Sequence, residues 1–186
     1  MKVAIVGGGA AGFFAGLSVK KHHSNADVFI LEKSSKLLSK VKISGGGRCN
    51  VTHACFKASQ LAKYYPRGSK ELKKAFSVFN VNHTIAWFKE RGVDLKRESD
   101  NRMFPVTNTS NTIINCFLDE ARKHNLKIQK DTFVTRIAQE KRQVKLTIDG
   151  FDHLYDKVII ASGGTPKLEG LDWMKKIGHS IVSPLP

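Results

Sequence analysis

Within its first 32 residues the chain sets an apolar run, Val3-Ala4-Ile5-Val6, directly before Gly7-Gly8-Gly9-Ala10-Ala11-Gly12, and closes a second run, Val28-Phe29-Ile30-Leu31, on Glu32. Strand, glycine turn, small-residue helix, strand and acidic terminus, in that order, form the layout of a dinucleotide-binding βαβ unit over residues 1–33. Gly7 allows the tight turn out of the strand, Gly9 lets the main chain approach a pyrophosphate, and Gly12 lets the helix pack closely on the sheet. The pyrophosphate would rest on the free N–H groups of a helix that begins near Gly9 and runs from Ala10 to Val19. Glu32, at the end of the second strand, can accept hydrogen bonds from both hydroxyls of an adenosine ribose and would repel a 2′-phosphate, which favours FAD or NAD over NADP. A glycine triplet alone also serves plain strand–helix turns. The reading is carried by the agreement of all five pieces.

At 186 residues, the chain is long for one half of a doubly wound sheet and short for a two-domain enzyme. No apolar stretch approaches the roughly 20 residues needed to span a bilayer, and the N-terminus runs straight into a strand, so a cytoplasmic location without a membrane partner is expected. Cys49, Cys55 and Cys116 are odd in number and contain no Cys-x-x-Cys pair, which indicates neither a disulfide framework nor a zinc site. The formal charge of +15 admits nucleic acid, an anionic membrane or anionic small molecules as partners. Its carriers are spread along the chain, with a modest cluster at Lys63, Arg67, Lys70, Lys73 and Lys74, and no nucleic-acid module is recognisable among them. A solvated charged face, with some attraction for an anionic cofactor or substrate and no nucleic-acid partner, is the expectation.

A second glycine-rich segment spans residues 42–53, from Lys42 through Ile43-Ser44-Gly45-Gly46-Gly47-Arg48-Cys49-Asn50-Val51-Thr52. It is too rich in glycine for a helix or strand interior and is expected as a loop lying close to something. Three consecutive glycines expose N–H groups able to cradle an anion or approach a flat ring, and Arg48 adds a permanent charge with five donors for a phosphate, a carboxylate or a developing enolate. The alternative for Arg48 is pairing with a surface carboxylate. Cys49 has no partner cysteine nearby and reads as a small buried packing residue rather than a redox thiol. Asn50 and Thr52 are expected to tie the loop to itself or to a flavin edge.

Two amphipathic helices, 69–79 and 82–91, the second stopped by Gly92, suggest a helical excursion over residues 69–92. Residues 102–106 are extended, and Ser110 or Asn111 can cap the following helix. Leu126 to Gln129 reads as a strand returning to the sheet, and residues 133–156 alternate as a small antiparallel meander. Residues 157–164 form a buried parallel strand that delivers Ser162-Gly163-Gly164 at the carboxyl edge, where open α/β sheets bind ligands. None of the seven histidines has metal-ligand spacing, and no Ser-His-Asp order or paired carboxylate is present. Cofactor-borne redox chemistry requires neither, so no catalytic side chain and no metal ligand is assigned.

These motifs together resemble the BaiN-like flavoproteins, also called the aminoacetone oxidase-like or YhiN-type NAD(P)/FAD-dependent oxidoreductases. The most specific stretch is Lys42 to Thr52, supported by the Gly7 to Gly12 turn, Arg102-x-Phe104-Pro105, Ser162-Gly163-Gly164 and Gly178-His179-x-Ile181. The resemblance implies a Rossmann-like α/β FAD-binding domain of the glutathione-reductase type, with a central parallel sheet, an antiparallel meander and a helical excursion. It also implies that Gly7, Gly9, Ala10, Ala11, Gly12, Glu32 and Lys33, the Lys42, Ser44, Gly45, Gly46, Gly47, Arg48, Cys49 and Asn50 segment, and Ser162, Gly163 and Gly164 line FAD, with a main-chain contact from Val134 to adenine. NAD(P)H is the implied electron donor and a small organic molecule the substrate. Members of that family are about twice as long, and the inserted substrate domain would begin near Pro184-Leu185-Pro186. The chain is therefore expected to be the N-terminal portion of the enzyme, a truncated frame, or half of a split enzyme with a separately encoded C-terminal partner. A non-catalytic dinucleotide-binding module is the competing expectation.

Overall fold

The computed structural model describes residues 1–165 and 168–182. Its main chain falls into two compact units, one built from Met1–Ser39 together with the chain from Asp119 onward, the other from Lys40–Leu118.

The first unit opens with β1 (Lys2–Val6), α1 (Ala10–His22) and β2 (Asp27–Leu31). The helix runs three residues beyond the expected Val19. Its last turn carries Lys20, Lys21 and His22, cations that suit the negative end of the helix dipole, and the Lys20 ammonium donates to the carbonyls of Ser24 and Ala26 at 2.6 and 3.0 Å.

Along the chain the second unit follows, with α2 (Ser39–Ile43), β3 (Thr52–His53), α3 (Ala58–Leu61), α4 (Ser69–Val78), α5 (Val81–Lys89), β4 (Leu95–Arg97), β5 (Arg102–Pro105) and the start of α6 (Ser110–Lys123). Its three strands pair antiparallel in the order β3-β5-β4, and Leu61, Val81 and Met103 form a buried cluster against Phe76, Ile85 and Leu95. Asn80 opens α5 with a reciprocal cap, its side chain accepting from the Asn82 N–H at 3.0 Å while its own N–H donates to His83 Nδ1 at 3.1 Å. The helix stops as expected at Gly92 (φ 74°), where the N–H groups of Gly92 and Val93 return to the carbonyls of Lys89 and Phe88.

The chain then re-enters the first unit through β6 (Lys127–Gln129), β7 (Val134–Glu140), β8 (Gln143–Ile148), β9 (Phe151–Tyr155), β10 (Lys157–Ile160) and α7 (Asp172–Lys176). A wholly parallel sheet in the order β10-β1-β2-β6 forms its centre. Strand β1 is buried on both faces: Phe13 and Leu17 of α1 are buried, and Ala4 and Leu31 pack with Leu146, Ile148 and Tyr155 of the antiparallel meander β7-β8-β9. Gly16 brings the helix in close, since a Cβ there would stand 2.7 Å from Leu126 Cδ2 and 3.2 Å from Ile5 Cδ1.

Three expectations change. Thr52 is not loop but pairs with Met103 as part of β3. The short strand β4 escaped notice because Leu95-Lys96-Arg97 lacks apolar alternation, and pairing with β5 supplies what intrinsic preference does not. Helix α6 begins at Ser110 itself, and Thr109 takes the cap, its Oγ1 accepting the Asn111 N–H at 3.3 Å. Ser110 is buried and donates instead to the Lys42 carbonyl at 2.9 Å, so its hydroxyl is spent on tertiary contact.

Candidate dinucleotide site

At the carboxyl edge of the parallel sheet Gly7 and Gly12 take the turn and close-packing places expected of them. Gly7 (φ 118°) turns the chain out of β1, and a Cβ on it would fall 2.3 Å from the Ala161 carbonyl oxygen. Gly12 faces inward, where a Cβ would be 1.9 Å from the Gly7 carbonyl oxygen. Gly9, by contrast, looks into open space, with nothing within 4 Å of the position a Cβ would take.

The N–H groups of the turn are used unequally. Gly7 donates to the Leu31 carbonyl at 2.8 Å and Gly8 to Glu32 Oε2 at 2.8 Å. Helix α1 then begins after Gly9 with no side-chain cap and no acidic residue in its first turn, while Ala10 and Ala11 are exposed. The first N–H groups of a helix lack intrahelical partners, so this end presents donors and the positive end of the dipole to any anion placed there.

Glu32 is more committed than the sequence implied. Its Oε2 takes the Gly8 N–H, and its Oε1 takes both the Ser34 N–H at 2.9 Å and the Ser34 hydroxyl at 3.0 Å. A carboxylate offers about four lone-pair positions; the Gly8 and Ser34 N–H groups fill two, and the Ser34 hydroxyl, whose one proton also faces the Lys36 carbonyl at 3.0 Å, contends for a third. Burial pushes the carboxyl up, but the donors from Gly8 and Ser34 and the nearby Lys33 charge hold it below the ordinary glutamate value. The sequence reading missed Gly8, where a Cβ would press on Leu37 and on Glu32 itself, and it missed Ser34. A hydroxyl two residues after the strand-terminal acid was the available signal.

On the same unit, Ser162, Gly163 and Gly164 are exposed, Gly163 has φ 77°, and a Cβ on Gly164 would meet nothing within 4 Å. Val134 begins β7 opposite Ile148, next to a bulge, and its side chain packs on the meander core. Lys33 is exposed.

The second glycine segment, on the other unit, is an ordered left-handed turn rather than an irregular loop. Gly45, Gly46 and Gly47 have φ of 56°, 67° and 82°, followed by Cys49 at 64°. A Cβ on Gly45 would lie 2.7 Å from Phe104 Cε1 and 2.8 Å from the Asn50 nitrogen, whereas Gly46 faces open space. Main-chain bonds close the turn, with the Cys49 N–H to the Ser44 carbonyl at 2.9 Å and the Val51 N–H to Met103 at 2.9 Å. Thr52 contributes through strand pairing, and Asn50 and Lys42 are exposed.

Arg48 pairs with Glu98 at 2.6 Å and lies over the Phe104 ring at 4.0 Å, and neither partner carried a local sequence signal. Cys49 is buried, and burial pushes its thiol up despite a hydrogen bond with Ser44. That agrees with a packing residue.

A parallel sheet that delivers two glycine turns to its carboxyl edge, with an uncapped helix start and an acid closing the second strand, defines a Rossmann-type domain. The chain belongs to the HI0933-like Rossmann-domain family, whose model matches residues 1–184. It is 24% identical over 191 residues to 3-dehydro-bile acid delta(4,6)-reductase of Clostridium scindens, covering 100% of this chain and 46% of that protein. It is also 26% identical over 165 residues to ribosomal RNA dihydrouridine synthase of Escherichia coli, covering 86% of this chain and 38% of that protein. The chain thus spans less than half the length of the curated relatives it matches. Among solved structures, the fold resembles the FrdA subunit of E. coli quinol fumarate reductase (TM-score 0.63, 14% identity, 89% of this chain and 33% of that one). It also resembles 3-ketosteroid-delta4-(5alpha)-dehydrogenase of Rhodococcus jostii (TM-score 0.61, 16% identity, 87% and 45%). No helix among the described residues is long and apolar enough to cross a membrane.

Proposed function

We propose that this chain is the dinucleotide-binding part of an FAD-dependent reductase that uses NAD(P)H and acts on a carbon–carbon double bond conjugated with a carbonyl. The observation that carries the reading is the division of labour in the first turn: Gly7 and Gly8 spend their N–H groups internally, while Gly9 and the uncapped start of α1 face open space. A pyrophosphate can approach the main chain there because Gly9 carries no Cβ and the space beside it is open. FAD held there would supply two-electron chemistry, the hydride drawn from NAD(P)H and the balancing proton from water. The chain's own part is to hold the pyrophosphate on the Gly9, Ala10 and Ala11 donors, to accept one ribose hydroxyl at Glu32, and to keep the turn rigid through Gly8, Ser34 and Gly12.

The acceptor class draws support from the two relatives, whose names both denote hydrogenation of an unsaturated compound. Purified protein incubated with FAD and desalted should absorb near the flavin band, and anaerobic NADH or NADPH should bleach it. A colourless protein that takes up no FAD would sink the proposal, and FAD uptake without reduction would leave a binding module.

A second reading of the acceptor places the double bond in a pyrimidine base of RNA, as the name of one relative suggests. It is favoured by charge distribution: between Lys40 and Leu118 fourteen Lys and Arg stand against five Asp and Glu, so this unit holds most of the surplus. That departs from the expectation of no nucleic-acid partner.

A further inference from the structure

On the second unit, residues between His53 and Tyr64, with Arg97 and Asn101, line an open pocket of about 330 Å³, at the small end of ligand pockets. Its lining includes the rings of His53, Phe56 and Tyr64 and the cations Lys57 and Arg97. The His53 and Tyr64 rings lie 4.5 Å apart at 50°. Tyr64 is 62% exposed and Phe56 46%, which is unusual for two large rings beside each other on one surface.

Exposed rings alone would suggest an apolar partner, but the surroundings are cationic. From Lys57 to Lys74 the chain carries six basic residues against the single acid Glu71, and Lys57, Lys63, Lys70, Lys73 and Lys74 are all exposed. Exposed rings beside Lys57 and Arg97, on a stretch of chain rich in exposed lysines, suit a chain of flat bases joined by phosphates, because every base has a face to stack and every linkage a charge to neutralise. An A-form duplex hides its bases in the stack, so an aromatic pocket selects single strands. The pocket also offers hydrogen bonds to a base edge: Arg97 donates to the Asn101 side-chain oxygen, which leaves the Asn101 amide N–H₂ and the Gln60 amide facing the same cavity.

We infer that the His53–Tyr64 pocket and the Lys57 to Lys74 band form a binding site for single-stranded RNA, with a base held against Tyr64 and the flanking phosphates on the lysines. This rests on the second reading above and supplies the surface that would hold such a substrate.

The test is fluorescence anisotropy of the full chain with a dye-labelled oligouridylate, without FAD or NAD(P)H, alongside a labelled RNA duplex of equal length. The expected result is tighter binding of the single strand. Tyr64→Ala should weaken it about tenfold, Tyr64→Phe should restore it because stacking needs only the ring, and Lys73→Ala with Lys74→Ala should lower the salt dependence of binding by about two phosphate contacts. Circular dichroism confirms that the variants are folded. Equal affinity for duplex, undetectable binding at physiological salt, or a folded Tyr64→Ala that binds like the parent would each overturn the site. RNA binding by a protein that takes up no FAD would refute the reductase reading and leave this site standing, whereas flavin reduction without RNA binding would do the reverse.

Discussion

The carboxylate of Glu32 accepts the N–H of Gly8 at 2.8 Å across 24 residues of chain, joining the end of β2 to the middle of the glycine turn. A residue whose position in the motif suggests ligand recognition is therefore also part of the scaffold that shapes the turn. The same side chain takes the Ser34 N–H at 2.9 Å, with the Ser34 hydroxyl between it and the Lys36 carbonyl, so the turn, the acid and the chain leaving β2 form one hydrogen-bonded set.

Its protonation should be visible in stability. The folded carboxyl lies below the ordinary value of 4.5, so its contribution is fully present above that pH and is lost as pH falls through the lower folded value. Glu32→Gln should cost about 1 kcal/mol at neutral pH and flatten the acid side of the stability profile. Urea unfolding of both proteins from pH 3 to 7 measures it, and parallel profiles would show that the bonds to Gly8 and Ser34 contribute nothing.

Gly9 and Gly12 separate binding from folding. Gly12→Ala would drive a methyl into the Gly7 carbonyl and should destabilise the protein by about 1–3 kcal/mol or more. Gly9→Ala meets nothing within 4 Å and should leave stability within about 0.5 kcal/mol of the parent, yet lower FAD affinity by occupying the cradle. Thermal melts of the apoproteins and FAD titrations distinguish the two effects.

In the left-handed turn, neighbouring glycines should respond differently. Gly46→Ala bears only the cost of a left-handed alanine, about 1–2 kcal/mol. Gly45→Ala carries the same cost and in addition collides with Phe104 and the Asn50 nitrogen, so its unfolding midpoint should fall further. Equal shifts would show that Phe104 yields freely.

Arg48 should matter more than Glu98. The pair is partly solvated, with side chains 34% and 26% exposed, and its coupling should be about 1 kcal/mol or less. Arg48→Ala also gives up the stack on Phe104, worth about 0.5–1 kcal/mol, and Arg48→Lys should not recover it because an ammonium lacks the flat fork. A double-mutant cycle by urea unfolding isolates the pair from the stack.

Order along the chain determined the βαβ unit, the meander, the returning strand and the structural places of Gly7 and Gly12, because strand and helix periods and the need for a missing Cβ are local properties written in consecutive residues. What Glu32 and Arg48 do was decided only by tertiary structure. Gly8 reaches Glu32, and Glu98 and Phe104 reach Arg48, across gaps that no period marks. The same holds for β4, a charged triplet that becomes a strand because β5 lies beside it, and for Ser110, drawn from cap to buried anchor by the Lys42 carbonyl. A charged or polar side chain satisfies its bonds with whatever donor or acceptor the fold brings near, and where that partner is far along the chain, as Gly8 is from Glu32 and Glu98 from Arg48, it has no local signature in the sequence.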